Sequence, residues 1–194
     1  MNKKCVALTN EEYAEAIGLL RNGFELEGVK IRANERIATV LVLETTLGLR
    51  LGDILKLKLS SFIKDGKRWR LDIVEEKTGK VRRFTVPLEV YSFIQSYALS
   101  RGIASEAKLF DLSERQVQRM LTKVFTKMEL PVKKYGSHSF RKLFATKVYL
   151  DNDYNIKLVQ TLLQHSSPMV TQVYIGISEQ SVEKALAGTV NHLL

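Results

Sequence analysis

The segment GSHSFRKLFAT, residues 136–146, is the most informative stretch of the sequence. It follows the polar loop PVKKYGS, and its pattern predicts a helix over about Ser139–Leu150. His138 and Arg141 are three residues apart, so they share one face of the first helical turn. The unpaired N–H groups and the dipole of such a turn favour an anion, which would meet a guanidinium and an imidazole. The plainer interpretation is a surface arginine beside a capping histidine.

The segment IKLVQTLLQHSSPMVTQVYIG, residues 156–176, comes next along the chain. His165 lies at the end of one predicted helix, and Tyr174 closes the following one. A tyrosine hydroxyl has a pKa of about 10, so it needs cationic neighbours or a base to act as a nucleophile. The alternative is a core or interface tyrosine whose hydroxyl is hydrogen-bonded.

Two segments on the N-terminal side carry further candidate residues. In TTLGLRLGDILKLKLSSF, residues 45–62, Arg50 follows a predicted helix end, and we expect Asp53 to orient its guanidinium. In EKTGKVRRFTVPL, residues 76–88, Lys77 lies at the mouth of a predicted hairpin. Taken singly, the arginine is typical of a structural ion pair and the lysine of a solubilising turn.

The remaining periodicity predicts an α+β fold that is mostly helical, with one small antiparallel sheet in its first half. The sheet consists of the strands RWRLDIVEE, 68–76, and VRRFTVP, 81–87, and residues 101–112 are irregular except for a short strand at Lys108–Phe110. The predicted helices are Asn10–Asn22, Arg32–Leu47, Leu51–Leu57, Leu88–Ser100, one that begins after Ser113, Ser139–Leu150, Asn155–Leu163, Pro168–Tyr174 and Ser178–Leu186.

Composition limits the classes of function. The 194 residues include 30 Lys and Arg against 21 Asp and Glu, a net charge of +9, and basic residues are concentrated at 64–83 and 119–147. This excess favours a nucleic acid partner over a membrane surface, with a solvated, solubilising face as the alternative. One cysteine excludes an internal disulfide framework, and no apolar run reaches the roughly 18 residues of a membrane helix.

Taken together, the four segments resemble the catalytic motifs of the tyrosine recombinases, or phage integrases, over about residues 7–187. The resemblance implies that family's catalytic-domain fold and a set of six catalytic residues: Arg50, Lys77, His138, Arg141, His165 and Tyr174. The chain departs from the family pattern at Gln164, where glycine is typical, and at Lys142, where histidine is common. Because the hairpin arm is about two residues longer than usual, Lys80 is a second candidate for the catalytic lysine.

The resemblance also implies a reaction. Tyr174 would attack a DNA phosphodiester to form a 3′-phosphotyrosine link, with the arginines and His165 on the phosphate, His138 taking up the tyrosine proton, and Lys77 protonating the leaving 5′-oxygen. No metal and no cofactor are expected. The expected partner is a double-stranded DNA recombination site, bound by a homotetramer that is monomeric in free solution, with a directionality or accessory factor as a further partner.

The resemblance further implies a single catalytic domain, 1–194, without the family's N-terminal core-DNA-binding domain. We expect a cytoplasmic, nucleoid-associated protein encoded by a bacterium or a phage, with no membrane association. Two alternatives remain open: a non-catalytic DNA-binding regulator on the same fold, and strand relaxation of the type IB topoisomerase kind.

Overall fold

The computed structural model describes residues 5–175 as helices packed around one main core, together with two small antiparallel sheets. This architecture confirms the predicted α+β, mostly helical class. The helices are α1 (Asn10–Asn22), α2 (Glu35–Leu47), α3 (Leu51–Leu55), α4 (Leu88–Ser100), α5 (Glu114–Lys127), α6 (Ser137–Asp151), α7 (Ile156–Leu163) and α8 (Pro168–Tyr174). The strands are β1 (Phe24–Leu26), β2 (Val29–Ile31), β3 (Phe62–Asp65), β4 (Arg68–Val74) and β5 (Val81–Val86).

Side-chain caps explain where several helices begin. At α1, the Thr9 hydroxyl accepts from the Glu12 N–H at 3.1 Å, and the Glu12 carboxylate accepts from the Thr9 N–H at 2.8 Å. Ser113 and Gln116 form the same reciprocal pair at α5. Such capping boxes satisfy backbone donors that a helix start leaves unpaired. Because they consist of residues three positions apart, the starts of α1 and α5 could be predicted from the sequence.

The predicted small antiparallel sheet is present, and the described residues contain a second one that the sequence did not predict. The three-stranded sheet has the order β3-β4-β5 and contains the predicted hairpin, while β1 and β2 form a separate two-stranded ribbon. The ribbon strands have three residues each, too few to show a period of two, and β3 adds a strand that the sequence left unassigned. The strand expected at Lys108–Phe110 is a single bridge from Lys108 to Lys58.

The predicted helix at Arg32–Leu47 begins later, at Glu35, because the Asn34 side chain accepts from the Ile37 N–H and caps it there. The α3 helix ends at Leu55, short of the predicted Leu57. The helix predicted at Ser178–Leu186 lies outside the described residues. Within residues 5–175, no helix is both long and apolar enough to cross a membrane.

The main core places α2 at the centre of the molecule. Leu41 of α2, Ile54 of α3, Phe125 of α5 and Phe140 of α6 are all fully buried in it. A smaller apolar cluster joins Ala145 of α6 to the inner face of α7, and Tyr174 packs against it. α2 therefore packs against α1, α3 and α6, while α7 and α8 pack against each other and against α6.

Candidate active site

A cleft of about 450 Å³ opens where α3, the β4–β5 hairpin, α5, α6 and α8 meet. Five of the six predicted site residues line it: Arg50, Lys77, His138, His165 and Tyr174. The sixth, Arg141, is fully buried, and its guanidinium carbon lies 5.9 Å from the centre of the Tyr174 ring. The fold therefore gathers residues that are up to 124 positions apart in the sequence around one site.

Arg50 reaches the cleft from the turn between α2 and α3. Gly48 caps α2 with a left-handed backbone, φ +58°, and a Cβ there would clash with the Phe144 ring, so the turn favours glycine. The Arg50 guanidinium donates to the Glu75 carboxylate over 2.6 Å. The expectation that Asp53 orients Arg50 is wrong, because the Asp53 carboxylate accepts from the Glu76 N–H at 2.9 Å instead.

Glu75 is the buried counter-ion of the site. Its side chain is 0% exposed; Oε2 accepts from Arg50 and from the Thr78 hydroxyl at 2.8 Å, while Oε1 lies 3.4 Å from Arg82. Burial by itself raises the pKa of Glu75, but the hydrogen bonds from Arg50 and Thr78 and the charges of both arginines outweigh it, so the net pKa is lowered. Glu75 is therefore ionised at neutral pH.

Arg82 ties the hairpin to two helix ends. It is 2% exposed and donates to the carbonyl oxygens of Leu47 and Gly48 at the end of α2 and of Leu162 at the end of α7. A cation at the carboxyl ends of two helices also meets the negative ends of their dipoles. We name Arg50, Arg82 and Arg141 the arginine cluster.

The sequence analysis did not single out Glu75 or Arg82. A usable signal was present for the arginine, since the alternation along β5 places Arg82 on the same buried face as Val86 and Arg83 on the opposite, exposed face. For Glu75 the sequence offers no comparable signal. Glu75 and Glu76 both follow the end of β4, so the alternation along the strand does not show that only Glu75 is buried.

Arg141 donates from Nη2 to the Leu163 carbonyl oxygen at 3.1 Å. Its Nε and Nη1 atoms are buried and have no hydrogen-bond partner among the described residues. Burial, followed by the charges of Arg82 and Arg50, lowers the pKa of Arg141 to about 10, so it remains cationic at neutral pH. Its unused donors match the oxygen atoms of an anion.

Glu44 of α2 is a second buried carboxyl, and both of its oxygens lack a hydrogen-bond partner within the described residues. Burial raises the pKa of Glu44 well above its ordinary value, and the charge of Arg141 only partly opposes this shift. Burial thus favours the uncharged form of the Glu44 carboxyl near Arg141.

His138 and Lys77 lie at the outer part of the cleft, and both side chains are exposed. Burial of part of the imidazole, followed by the charges of Arg141 and Lys77, lowers the pKa of His138, so it is neutral at pH 7 and able to accept a proton. Lys80, the alternative lysine, is not among the residues that line the cleft. The geometry therefore supports Lys77 over Lys80.

His165 is positioned by the turn after α7. Gln164 has a left-handed backbone, φ 53° and ψ 37°, which explains why glycine suits this position better than glutamine. The Nδ1 atom of His165 lies 3.1 Å from the Thr171 hydroxyl oxygen. Burial, then the charges of Arg141, Arg50 and Arg82, lower the pKa of His165 to about 4, so the ring is neutral at pH 7.

Tyr174 lies above Arg141 at the end of α8, and its ring centre is 4.6 Å from that of His165. The Nζ atom of Lys142 is 5.6 Å from the same ring and donates to the Cys5 carbonyl oxygen at 2.6 Å. Lys142, at the position where the sequence departs from the family pattern, thus anchors the start of the described chain to α6 and adds a cation beside Tyr174. Its side chain is buried rather than directed into solvent.

The arrangement suits an oxyanion bound next to the Tyr174 hydroxyl. Arg50, Lys77 and two neutral imidazoles line the cleft together with Tyr174. No group of three or more His, Cys, Asp or Glu side chains within residues 5–175 is arranged to hold a metal ion; the third histidine, His192, lies outside this range.

The family model named "Phage integrase family" matches residues 7–181. This chain belongs to the phage integrase family. It is 26% identical over 161 residues to tyrosine recombinase XerC of Caldanaerobacter subterraneus subsp. tengcongensis, covering 78% of this chain and 44% of that protein. It is 25% identical to the probable integrase/recombinase YoeC of Bacillus subtilis, covering 83% of this chain and 88% of YoeC. The chain thus spans under half of that XerC protein and most of YoeC.

Solved structures share the fold at lower identity. The XerH site-specific recombinase in a post-cleavage complex with a palindromic difH substrate aligns with a TM-score of 0.73 and 21% identity over 96% of this chain and 53% of that one. A lambda integrase tetramer bound to a Holliday junction aligns with a TM-score of 0.68 and 20% identity over 91% of this chain and 49% of that one. These alignments show the catalytic-domain fold of tyrosine recombinases.

Proposed function

We propose that this chain is the catalytic domain of a site-specific tyrosine recombinase, which cleaves and rejoins DNA strands through a covalent 3′-phosphotyrosine intermediate. The observation that carries the proposal is the convergence of Arg50, Lys77, His138, His165 and Tyr174 on one cleft, with the unused donors of Arg141 beside Tyr174. Membership of the phage integrase family supports the same activity.

In the proposed step, the Tyr174 hydroxyl oxygen bonds to phosphorus as the bond from phosphorus to the 5′-oxygen breaks. The tyrosine proton passes to the neutral His138, and the leaving 5′-oxygen takes a proton from Lys77. Arg50, Arg141 and His165 hold the non-bridging oxygens and stabilise the charge that develops on them. Rejoining reverses each transfer, so the phosphodiester energy is retained in the covalent link.

The charge distribution supports double-stranded DNA as the substrate. Glu114 and Gln118 of α5 line the cleft, and the exposed side chains of Arg115, Arg119 and Lys123 follow on the same helix at intervals of four residues. Residues four apart lie on one helical face, so these cations form a stripe. Such stripes neutralise phosphates and make binding sensitive to salt.

The remaining parts of the proposal concern assembly and location. We expect four copies of the protein on paired recombination sites, monomers in free solution, and a cytoplasmic location with access to the nucleoid. Strand exchange between two duplexes cuts four strands, and each cut needs one tyrosine. A tetramer supplies the four tyrosines.

The first experiment offers the chain a library of nicked duplexes randomised around the nick. After cleavage near the nick the short 5′-hydroxyl fragment diffuses away, so a covalent adduct accumulates and is resolved on a denaturing gel. We expect an adduct with the wild type and with Tyr154→Phe, a control tyrosine that is 65% exposed and does not line the cleft. We expect none with Tyr174→Phe.

An adduct that persists in Tyr174→Phe would overturn the assignment of the nucleophile. Duplexes that are bound without any adduct would overturn the catalytic proposal and favour a regulator. An adduct combined with plasmid relaxation, but without exchange between two sites, would indicate a topoisomerase.

A further inference from the structure

The His165 imidazole has a buried hydrogen-bond partner that the proposed reaction does not yet use. Thr171 lies in α8 one turn before Tyr174, is 0% exposed, and places its hydroxyl oxygen 3.1 Å from His165 Nδ1. The other ring nitrogen, Nε2, has no hydrogen-bond partner among the described residues, and His165 lines the cleft. Nε2 is thus the nitrogen left to contact a substrate.

A neutral imidazole carries one N–H, so the partner of one nitrogen decides what the other can do. If Nδ1 carried the proton, it would donate to Thr171, and Nε2 would be an acceptor that repels a phosphate oxygen. If Nδ1 accepts a proton from Thr171, Nε2 carries the N–H and is a donor to phosphate. Burial, together with the charges of the surrounding arginines, keeps the ring neutral, so only one of its two nitrogens carries a proton.

The single hydroxyl proton of Thr171 has two candidate acceptors. The Ser167 carbonyl oxygen is 3.4 Å away, beyond the usual O–H···O range of about 2.5–3.0 Å, and it already accepts from the Thr171 N–H. The Nδ1 atom of His165 is nearer, at 3.1 Å. The geometry therefore favours donation by the threonine hydroxyl to Nδ1.

We propose that Thr171 is a positioning residue that holds His165 in its Nε2–H tautomer, so that the neutral ring donates a hydrogen bond to a substrate phosphate oxygen. The role in cleavage rests on the proposed function, whereas the tautomer itself does not. Because Thr171 and Tyr174 lie on the same short helix, α8 brings in the nucleophile and sets the histidine tautomer together.

The test uses the whole chain labelled with ¹⁵N-histidine, with each imidazole assigned through a His→Asn variant. In the wild type at pH 7 we expect the His165 spectrum to show a protonated Nε2 and an unprotonated, hydrogen-bonded Nδ1. Thr171→Val keeps the size of the side chain and removes the donor, so the Nδ1 resonance shifts to that of a free nitrogen. Thr171→Ser restores the wild-type spectrum. A wild-type Nδ1–H tautomer would falsify the proposal.

Cleavage of the nicked duplex provides the second readout. We expect Thr171→Val to lower the cleavage rate at saturating DNA about tenfold, the effect of about 1.4 kcal/mol, while DNA affinity is unchanged. Thr171→Ser recovers the rate. The matched control is Thr161→Val, because Thr161 is exposed on α7 and its hydroxyl donates only to the Lys157 carbonyl oxygen.

A double mutant separates this role from simple packing. Adding Thr171→Val to His165→Ala has no further effect on the cleavage rate if the threonine acts through the histidine, and an additive loss would overturn the proposal. If no variant and no wild type cleaves DNA, the proposed recombinase function fails, and the ¹⁵N spectra still decide the tautomer.

Discussion

Arg82 and Arg141 are 2% and 0% exposed and donate to main-chain carbonyl oxygens at helix ends, while Glu75 ties Arg50 and Arg82 together. Lys77, on the same cleft, is exposed and forms no hydrogen bond or ion pair with the described residues. Arg82 and Arg141 belong to the core of the fold, whereas the Lys77 side chain lies exposed on the β4–β5 hairpin. The proposed charge-stabilising groups are thus preorganised, and the proposed acid is free to approach its target.

This contrast has a physical reason. A site that binds a transition state works best when its donors are fixed before the substrate arrives, since no free energy is then spent on ordering them. A proton donor to a leaving group must follow an atom that moves during the reaction. An exposed lysine with four rotatable bonds meets that need.

The largest expected effect is on the cleavage rate, and it distinguishes Lys77 from the buried arginines. Lys77→Ala lowers the single-turnover cleavage rate about 10²–10⁴-fold, the usual contribution of general acid catalysis, and leaves the melting temperature unchanged because the side chain is exposed. Lys80→Ala, on the same hairpin but outside the cleft, cleaves at a rate close to that of the wild type. A sulfur in place of the leaving 5′-oxygen needs no proton and restores the rate of Lys77→Ala; a failure of this rescue would contradict the role as an acid.

The next effect is on the free energy of unfolding, and it distinguishes the buried Arg82 from an exposed arginine. Arg82→Leu removes donors to three carbonyl oxygens and leaves the buried Glu75 with fewer partners, so the free energy of unfolding falls by about 3–5 kcal/mol. Arg83→Leu is the matched control, because the neighbouring Arg83 side chain is 67% exposed on the other face of β5, and it changes stability by less than about 0.5 kcal/mol. Urea unfolding measures both. Equal losses in the two variants would show that burial of Arg82 has no special importance.

A third effect concerns pH. The folded chain holds the pKa of His165 at about 4, whereas the unfolded chain has about 6.5, so acid protonates the unfolded state first. This histidine therefore contributes stability that is fully present above about pH 6.5 and is lost as pH falls towards 4. His165→Asn has a shallower dependence of unfolding free energy on pH in that window. His138, whose pKa is also lowered, gives a change of the same sign in His138→Asn.

The smallest effect lies in the turn that joins α7 to His165. Gln164 has φ 53°, a left-handed backbone that costs about 1–2 kcal/mol with a side chain present, and its amide donates to the Val81 carbonyl oxygen at 3.2 Å. Gln164→Ala loses the hydrogen bond and keeps the strain, whereas Gln164→Gly loses both. We expect the glycine variant to be about 1 kcal/mol more stable than the alanine variant in thermal unfolding, and the reverse order would mean that the turn carries no strain.

Patterns in the amino-acid sequence predict the helical class, the starts of α1 and α5, the β4–β5 hairpin and the family resemblance. These features are local: capping residues act within three positions, and periodicity acts within one element. The six candidate residues are predicted from four short segments whose order, taken together, resembles one family, since each residue by itself also fits a structural role.

The partners that orient the site residues depend on tertiary contacts. Arg50 is oriented by Glu75, 25 residues away, rather than by the nearby Asp53, because the fold brings the end of β4 against the turn after α2. Arg82 connects that hairpin to the end of α7 across 80 residues. Glu75 and Arg82 have partners that lie far away in the sequence and meet them only in the packed chain. Periodicity and capping patterns act over a few residues, so they cannot predict such contacts.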